Sequence, residues 1–160
     1  MTKDSLTTDE LKKQVGVEGP PEVYEIEKGL IRRFVQATDD PNPLWSDEDY
    51  ARKGPYGGII APPTIIPVLR GLEQSGLLST SPSQRLIHGS TELECYQPVK
   101  PSDKITITNK LVDIRERNRG VAGRMVFITM ERSYKNQRKE LVARCRQKLI
   151  RYENGDGQND

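Results

Sequence analysis

Residues 59–69 read IIAPPTIIPVL, and this stretch decides the fold. From residue 65 onward the apolar residues fall on nearly every side of a helix, which predicts a helix buried in a core. Pro63 fits the first turn of that helix, Pro67 is explained by a first-turn position, and Gly71 or Gly76 marks the end. The apolar positions are Ile65, Ile66, Val68, Leu69 and Leu72.

Beyond residue 84 the pattern changes to long segments rich in Val, Ile, Leu, Thr and Tyr. These segments predict strands at residues 86–96, 104–115, 121–135 and 139–152, after an earlier strand at 23–26. One apolar helix ahead of a long antiparallel meander has to be covered by the concave face of that meander, since neither can bury its apolar surface alone. The sequence therefore predicts an α+β fold of the hot-dog type, with a long antiparallel sheet around one buried central helix.

Between the first strand and the buried helix, helical spacing of apolar residues predicts a short amphipathic helix at residues 28–38. It leads into Asp40-Pro41-Asn42-Pro43, where the two prolines are expected to forbid helix. Ser46 is predicted to cap a second short helix that continues through Ala51. The result is a rigid turn between two helices.

The ends of the chain differ from its middle. Residues 1–20 are polar and are expected to form a flexible segment with one modest helix from Thr8 to Gln14. Residues 153–160 contain no apolar side chain and are expected to be disordered. The folded domain is therefore predicted to span residues 21–152.

Composition excludes several classes of function. With 25 Lys and Arg against 23 Asp and Glu, the net charge of +2 favours no nucleic-acid partner. Cys95 and Cys145 form no CxxC motif, and no cluster predicts a metal or another cofactor. No apolar run approaches the roughly 18 residues of a membrane span, and residues 1–5 lack the apolar core of a signal peptide, so we expect a cytoplasmic protein with no membrane partner.

The turn after residue 38 carries a resemblance to a known family. Asp40-Pro41-Asn42-Pro43-Leu44-Trp45-Ser46-Asp47 resembles the Gly-Asp-x-Asn-Pro-Leu-His-x-Asp segment of the MaoC-like, R-specific enoyl-thioester hydratases and 3-hydroxyacyl dehydratases. Further pieces in the same order resemble their fungal fatty-acid-synthase-like branch: residues 31–34, 57–64, 86–89, 96–98, 124–127 and 134–137. The resemblance implies the hot-dog fold and acyl-thioester chemistry.

In this family, an Asp and a His five positions apart hold the reacting water, and a backbone amide at the start of the buried helix meets the thioester oxygen. Asp40 retains the carboxylate, although such turns also use an Asp simply to stabilise themselves. Trp45 stands in place of the His, and its indole is a donor that cannot accept a proton. Pro63 has no N–H, so Thr64 or Ile65 would have to serve as the donor.

The resemblance implies substrate-binding positions, each of which also has a structural explanation. Trp45 could line an acyl channel or simply pack, and His88, the only histidine, could be a relocated base or a structural imidazole. The implied substrate-binding residues are Asn42, Trp45, Gly57, Gly58, Pro62, Thr64 and Ile65.

The leading hypothesis is an acyl-thioester-binding, non-catalytic subunit of a hydratase or dehydratase, paired with a second hot-dog subunit that supplies the Asp and His. The thioester could be carried by coenzyme A or by an acyl carrier protein, and a homodimer also remains open. One alternative is a self-sufficient hydratase, dehydratase or thioesterase that uses Asp40, alone or with His88. The other is a non-enzymatic acyl-thioester-binding or scaffold protein.

Overall fold

A five-stranded antiparallel sheet is the main element of the computed structural model, which describes residues 8–69, 84–118 and 124–153. The strands are β1 Glu22–Glu25, β2 Gln84–Cys95, β3 Lys104–Asn118, β4 Arg124–Lys135 and β5 Leu141–Glu153. Their order in the sheet is β1-β3-β4-β5-β2. The α+β hot-dog class predicted from the sequence is confirmed.

The strand order differs in one respect from a simple meander. Strands β3, β4 and β5 pair with their neighbours in sequence, but β2 crosses over to the far side of β5. Alternation of apolar and polar side chains predicts where strands lie but not which strands pair, so the sequence did not predict this crossover. As a result β2 forms one edge of the sheet and the four-residue β1 forms the other.

In the described part of the chain, four short α-helices and one 3-10 helix accompany the sheet. They are α1 Thr8–Lys13, α2 Lys28–Thr38, α3 Pro43–Ser46, α4 Glu48–Lys53 and the 3-10 helix Pro63–Val68. The helix predicted at residues 28–38 is confirmed as α2. Pro43 does not forbid helix as predicted: it begins α3, since the first residues of a helix do not need their N–H groups. The cap of α4 is Asp47 rather than Ser46, because the Asp47 carboxylate accepts the Tyr50 N–H.

The start of the predicted buried helix packs as the core of the domain. Ile65, Ile66 and Leu69 are almost fully buried against the sheet, but Val68 is 60% exposed, so this part of the helix is not buried on every side as predicted. Pro67 lies in the second turn and not the first, and its carbonyl accepts a hydrogen bond of 3.1 Å from Arg132 Nη1. The predicted ends at residues 71 and 76, and position 72, lie outside the described residues.

A second, smaller core forms where α1 meets the sheet. Leu11 is fully buried there, and the backbone that follows α1 bonds to β3 through Gly16 N to Leu111 O and Gly19 N to Asn109 O, both 2.8 Å. Part of the segment expected to be flexible is therefore packed on the sheet, while the domain boundaries stay a prediction. The other members of this core are Leu111, Val126, Ile128, Met130 and Leu149.

Within residues 8–69, 84–118 and 124–153, none of the helices has the length and apolar character needed to cross a membrane. Both cysteines are free thiols: Cys145 is buried in the main core and Cys95 is exposed on β2.

Candidate functional site

The Asp-Pro-Asn-Pro turn is positioned by the way α2 ends. Asp39 adopts a left-handed backbone conformation with φ of 50° and caps the helix, its N–H bonding to the Val35 carbonyl. The Asp40 N–H bonds to the same carbonyl at 3.2 Å. A left-handed residue at this position redirects the chain sharply, so the Asp40 side chain follows α2 in a fixed place.

Asp40 and Trp45 are joined by a direct hydrogen bond. The indole Nε1 of Trp45 donates to Asp40 Oδ2 at 2.9 Å, and the N–H of Asn42 donates to Asp40 Oδ1 at 3.1 Å. Both carboxylate oxygens thus have a partner within the turn. Because an indole nitrogen has no free lone pair, this pair cannot exchange a proton as an Asp and a His can.

Asn42 has a structural role in the same turn. Its Oδ1 accepts the Leu44 N–H at 3.0 Å, and its carbonyl accepts the Trp45 N–H at 3.2 Å. These bonds satisfy N–H groups at the start of α3. They support the turn-stabilising explanation of Asn42, and its role in substrate binding stays a prediction.

Beside this turn lies a cleft of about 480 Å³, here called the Trp45 cleft. Val35, Trp45 and Ile59 give the cleft apolar surface. Two cationic residues, Lys28 and Arg32, also line it. The remaining lining residues are Gly29, Gln36 and Ser46. The volume and the mixture of apolar surface with a few charged groups are typical of small-molecule sites.

A second cleft of about 330 Å³ adjoins the first, and we call it the Gly57 cleft. Lys28 and Ile59 line both clefts. The Gly57 cleft contains both glycines predicted to bind substrate. Its lining residues are Lys28, Glu48, Arg52, Gly57, Gly58, Ile59, Lys100 and Pro101.

The start of the 3-10 helix offers one free backbone donor. The Ile65 side chain is completely buried and its N–H bonds to the Pro62 carbonyl at 3.0 Å, while Pro62 itself is buried. Thr64 is exposed, and its N–H has no acceptor in the described part of the chain. Of the two donors considered from the sequence, the structure therefore leaves Thr64 available and uses Ile65 within the helix.

His88 lies apart from the turn. It is exposed on β2, with Nε2 2.8 Å from Thr91 Oγ1, and it lines neither the Trp45 cleft nor the Gly57 cleft. The neighbouring Gly89 sits at a bulge in the β2–β5 pairing, where a Cβ would lie only 2.9 Å from the Lys148 carbonyl oxygen. Close backbone approach accounts for the glycine of this segment.

Sequence reasoning missed the cationic residues of the two clefts. Lys28 and Arg32 are four positions apart on α2, which places them on one face of the helix and could have been noticed. Arg52 and Lys100 come from distant segments, α4 and the connection before β3, so only the tertiary structure brings them to the same cleft.

An antiparallel sheet around a central helix, with an Asp-Pro-Asn-Pro turn, defines the class of hot-dog hydratases and dehydratases. A family model, the FAS1-like dehydratase domain region, matches residues 13–145. The chain belongs to this FAS1-like dehydratase domain family. The family and its MaoC-like relationship thus agree with the sequence resemblance.

Two relatives illustrate how similar individual proteins are to this chain. A UPF0336 protein of Thermobifida fusca is 33% identical over 100 residues, which cover 59% of this chain and 65% of the relative. A probable enoyl-CoA hydratase alpha subunit of Thermomonospora curvata is 27% identical over 139 residues, covering 77% of this chain. The match spans just under two thirds of the T. fusca protein and 44% of the T. curvata protein.

Among solved structures, the ChsH1-ChsH2 complex from Mycobacterium tuberculosis contains a chain similar to this one. The TM-score is 0.75 at 17% identity, and the match covers 94% of this chain and 96% of the other. At this identity the likeness shows the fold alone.

Proposed function

We propose that this protein is the acyl-thioester-binding subunit of an enoyl-CoA hydratase or 3-hydroxyacyl-thioester dehydratase, of the fungal fatty-acid-synthase-like branch. A second hot-dog subunit supplies the working Asp and His. The observation that carries the proposal is the hydrogen bond from Trp45 Nε1 to Asp40 Oδ2, since it replaces an acid/base pair by a fixed structural contact.

The chemistry explains why that contact matters. Hydration of a double bond conjugated to a thioester needs a base for the water, an acid for the α carbon and donors for the enolate oxygen. Trp45 titrates nowhere near neutral pH, and Asp40 has both oxygens engaged. His88, the relocated base of the alternative reading, is on β2 and bonds to Thr91. Compared with the hydratase pattern, the chain has lost the acid/base pair but keeps features suited to binding a thioester.

Three features support thioester binding. The Trp45 cleft has the volume and apolar surface for an acyl or pantetheine chain. The N–H of Thr64 is free to donate to a thioester carbonyl, although Thr64 lines neither the Trp45 cleft nor the adjoining cleft. Gly57 and Gly58 line the adjoining cleft, where small residues let a ligand approach the backbone.

The sheet also favours pairing with a partner. Among the described strands, the edge of β2 opposite β5 has no partner, and this strand is 12 residues long with Ile87 51% exposed. A long, partly apolar free edge is a template for pairing with another chain. The name of the T. curvata relative, an alpha subunit, and the two-protein ChsH1-ChsH2 complex support a heteromeric partner for this chain.

The test is hydration of crotonyl-CoA by the chain alone and after co-expression with a hot-dog protein that retains the Asp and His. We expect no significant turnover alone and activity in the complex. Robust turnover by the chain alone that disappears in Asp40→Asn would overturn the proposal and favour a self-sufficient enzyme. Binding of crotonyl-CoA without activity in any complex would favour the scaffold alternative.

A further inference from the structure

We infer that the Trp45 cleft and the Gly57 cleft form one site for a coenzyme A thioester, with the phosphates of the coenzyme held by Lys28, Arg32, Arg52 and Lys100. This inference rests on the proposed function and deepens it, because it selects the free coenzyme as the carrier of the acyl group. It also assigns the residues that would recognise it.

The linings of the two adjoining clefts suit a ligand with two chemically different ends. The clefts measure about 480 and 330 Å³ and share Lys28 and Ile59. Val35 and Trp45 give the Trp45 cleft apolar surface, whereas the Gly57 cleft is lined mainly by charged residues and glycines. An apolar thioester arm and a phosphorylated head would each meet a suitable surface.

The two clefts are rich in positive charge. Among the described residues, they are lined by four cationic side chains and one carboxylate, Glu48. The cations are Lys28 and Arg32 on α2, Arg52 on α4, and Lys100 from the connection before β3. Like charges converging from separate segments raise the local positive potential, which a bound polyanion would relieve.

These cations are available to a ligand. Arg32 makes no ion pair or hydrogen bond with the described residues. Lys28 pairs with Glu48, and Arg52 pairs with Asp49 at 3.4 Å and with Glu48 at 4.0 Å. Each of these pairs is exposed on both sides, and exposed pairs contribute little to stability. Lys100 Nζ donates to the Tyr56 carbonyl at 2.7 Å and is otherwise exposed to solvent.

The glycine loop adds backbone donors. Gly57 has a φ of 66°, and a Cβ placed on Gly57 or Gly58 would meet nothing within 4 Å, so open space lies in front of the loop. The N–H groups of Gly58 and Ile59 donate to no acceptor in the described residues. Glycine-rich loops with free amides are common phosphate-binding elements.

The number of cations favours free coenzyme A over a carrier protein. The phosphopantetheine arm of a carrier protein has one phosphodiester, whereas coenzyme A carries a diphosphate and a further phosphate on its nucleoside. Four cations within two small clefts fit several phosphate groups on a small molecule. Recognition of an acidic carrier domain would instead use a broad exposed surface.

The test compares two double variants by titration calorimetry of the full chain. Arg32→Gln with Lys100→Gln removes two cleft cations, and Arg33→Gln with Lys104→Gln removes two exposed cations nearby that line neither cleft. The ligands are crotonyl-CoA, crotonyl-pantetheine, which lacks phosphate, and a crotonyl-loaded acyl carrier protein. Thermal unfolding establishes that both variants fold.

We expect the cleft variant to bind crotonyl-CoA about tenfold or more weakly, because it loses two charge-assisted contacts. The control variant should keep near wild-type affinity, and crotonyl-pantetheine should bind both variants equally. The difference should shrink as salt is raised.

Each contrary outcome identifies what has failed. Equal loss in both variants, or equal wild-type affinity for crotonyl-CoA and crotonyl-pantetheine, overturns the phosphate site and leaves thioester binding intact. Tighter binding of the loaded carrier protein that is lost in the cleft variant overturns the choice of coenzyme A. Absence of binding to every thioester overturns the proposed function itself.

Discussion

The Nε1 of Trp45 lies 2.9 Å from Oδ2 of Asp40 and donates a hydrogen bond to it, while Oδ1 of the same carboxylate accepts the Asn42 N–H. The bond joins the end of α2 to α3 across a turn that contains two prolines. It makes the Asp40 carboxylate part of the turn.

Mutations of this pair should not be additive. Trp45→Phe removes the indole donor. Asp40→Asn replaces one of the two acceptor oxygens by an NH2 group, which cannot accept a hydrogen bond. We expect a coupling free energy of about 0.5–2 kcal/mol in a double-mutant cycle measured by urea unfolding. Simple additivity would show that the hydrogen bond does not form in solution.

Leu11→Ala should destabilise the whole domain, because Leu11 is completely buried in the second core between α1 and the sheet. The expected loss is about 2–4 kcal/mol in the free energy of unfolding, from lost apolar burial and the cavity left behind. Val17→Ala is the control, since Val17 is 61% exposed and should change stability by less than about 0.5 kcal/mol. Equal effects would mean that α1 does not pack on the sheet.

Gly89→Ala should be destabilising for a steric reason. Its Cβ would lie 2.9 Å from the Lys148 carbonyl oxygen in the paired backbone of β5, and neither strand can move freely. We expect a loss of about 1–3 kcal/mol, measured by thermal or urea unfolding. Gly29→Ala in α2 has nothing within 4 Å and should be neutral or stabilising by up to about 1 kcal/mol.

Arg132→Met should remove a buried polar link between the sheet and the 3-10 helix. The Arg132 side chain donates to the Pro67 carbonyl at 3.1 Å and to Gln147 Oε1 at 3.0 Å, and Arg132 is 5% exposed. Unpaired buried acceptors should lower the free energy of unfolding by about 2–4 kcal/mol.

A matched control is available on the neighbouring strand. Arg144 lies on β5 and its side chain is 39% exposed, with acidic partners no closer than 3.7 Å. Arg144→Met should cost less than about 1 kcal/mol. A loss as large as that of Arg132→Met would contradict a special role for Arg132.

Acidification should loosen α1 from the sheet. The hydrogen bond from Lys12, followed by that from Arg124, holds the pKa of Glu116 below its ordinary value of 4.5. Because the folded-state pKa is lowered, the contribution is present above about pH 4.5 and is lost as the pH falls through the folded-state value. The protection factors of the α1 amides, which compare observed exchange with intrinsic exchange at the same pH, should therefore decrease below about pH 4.5 in the wild type. In Glu116→Gln this pH dependence should disappear; an unchanged profile would assign it to other carboxylates.

Local patterns allowed much of the fold to be predicted. Helical spacing gave α2 at residues 28–38, and long apolar strands gave β3, β4 and β5 to within a few residues. The predictions were wrong where one residue type can either end or begin a helix, or where two neighbouring residues can both cap one. Pro43 begins a helix that prolines were expected to prevent, and Asp47 took the capping role assigned to Ser46 because its carboxylate reaches the Tyr50 N–H.

Only part of the candidate site could be predicted from the sequence. The Asp40 to Trp45 segment is contiguous, so its departure from the hydratase pattern could be read directly. The hydrogen-bond partners of the side-chain atoms in this turn could not be predicted, because several acceptor oxygens and donors lie within the same short segment. The buried position of Leu11 was likewise missed, since one leucine in a polar helix carries no periodic signal.

The sequence by itself determined the hot-dog class, the Asp-Pro-Asn-Pro turn and the loss of the histidine, because spacing and residue type are local properties. Only the tertiary structure decided the crossover of β2 to β5, the use of both Asp40 oxygens and the gathering of Lys28, Arg52 and Lys100 around one glycine loop. These features join segments that are far apart along the chain or compete for the same donors. Packing and hydrogen-bond geometry settle them, and neither is encoded in any single stretch of residues.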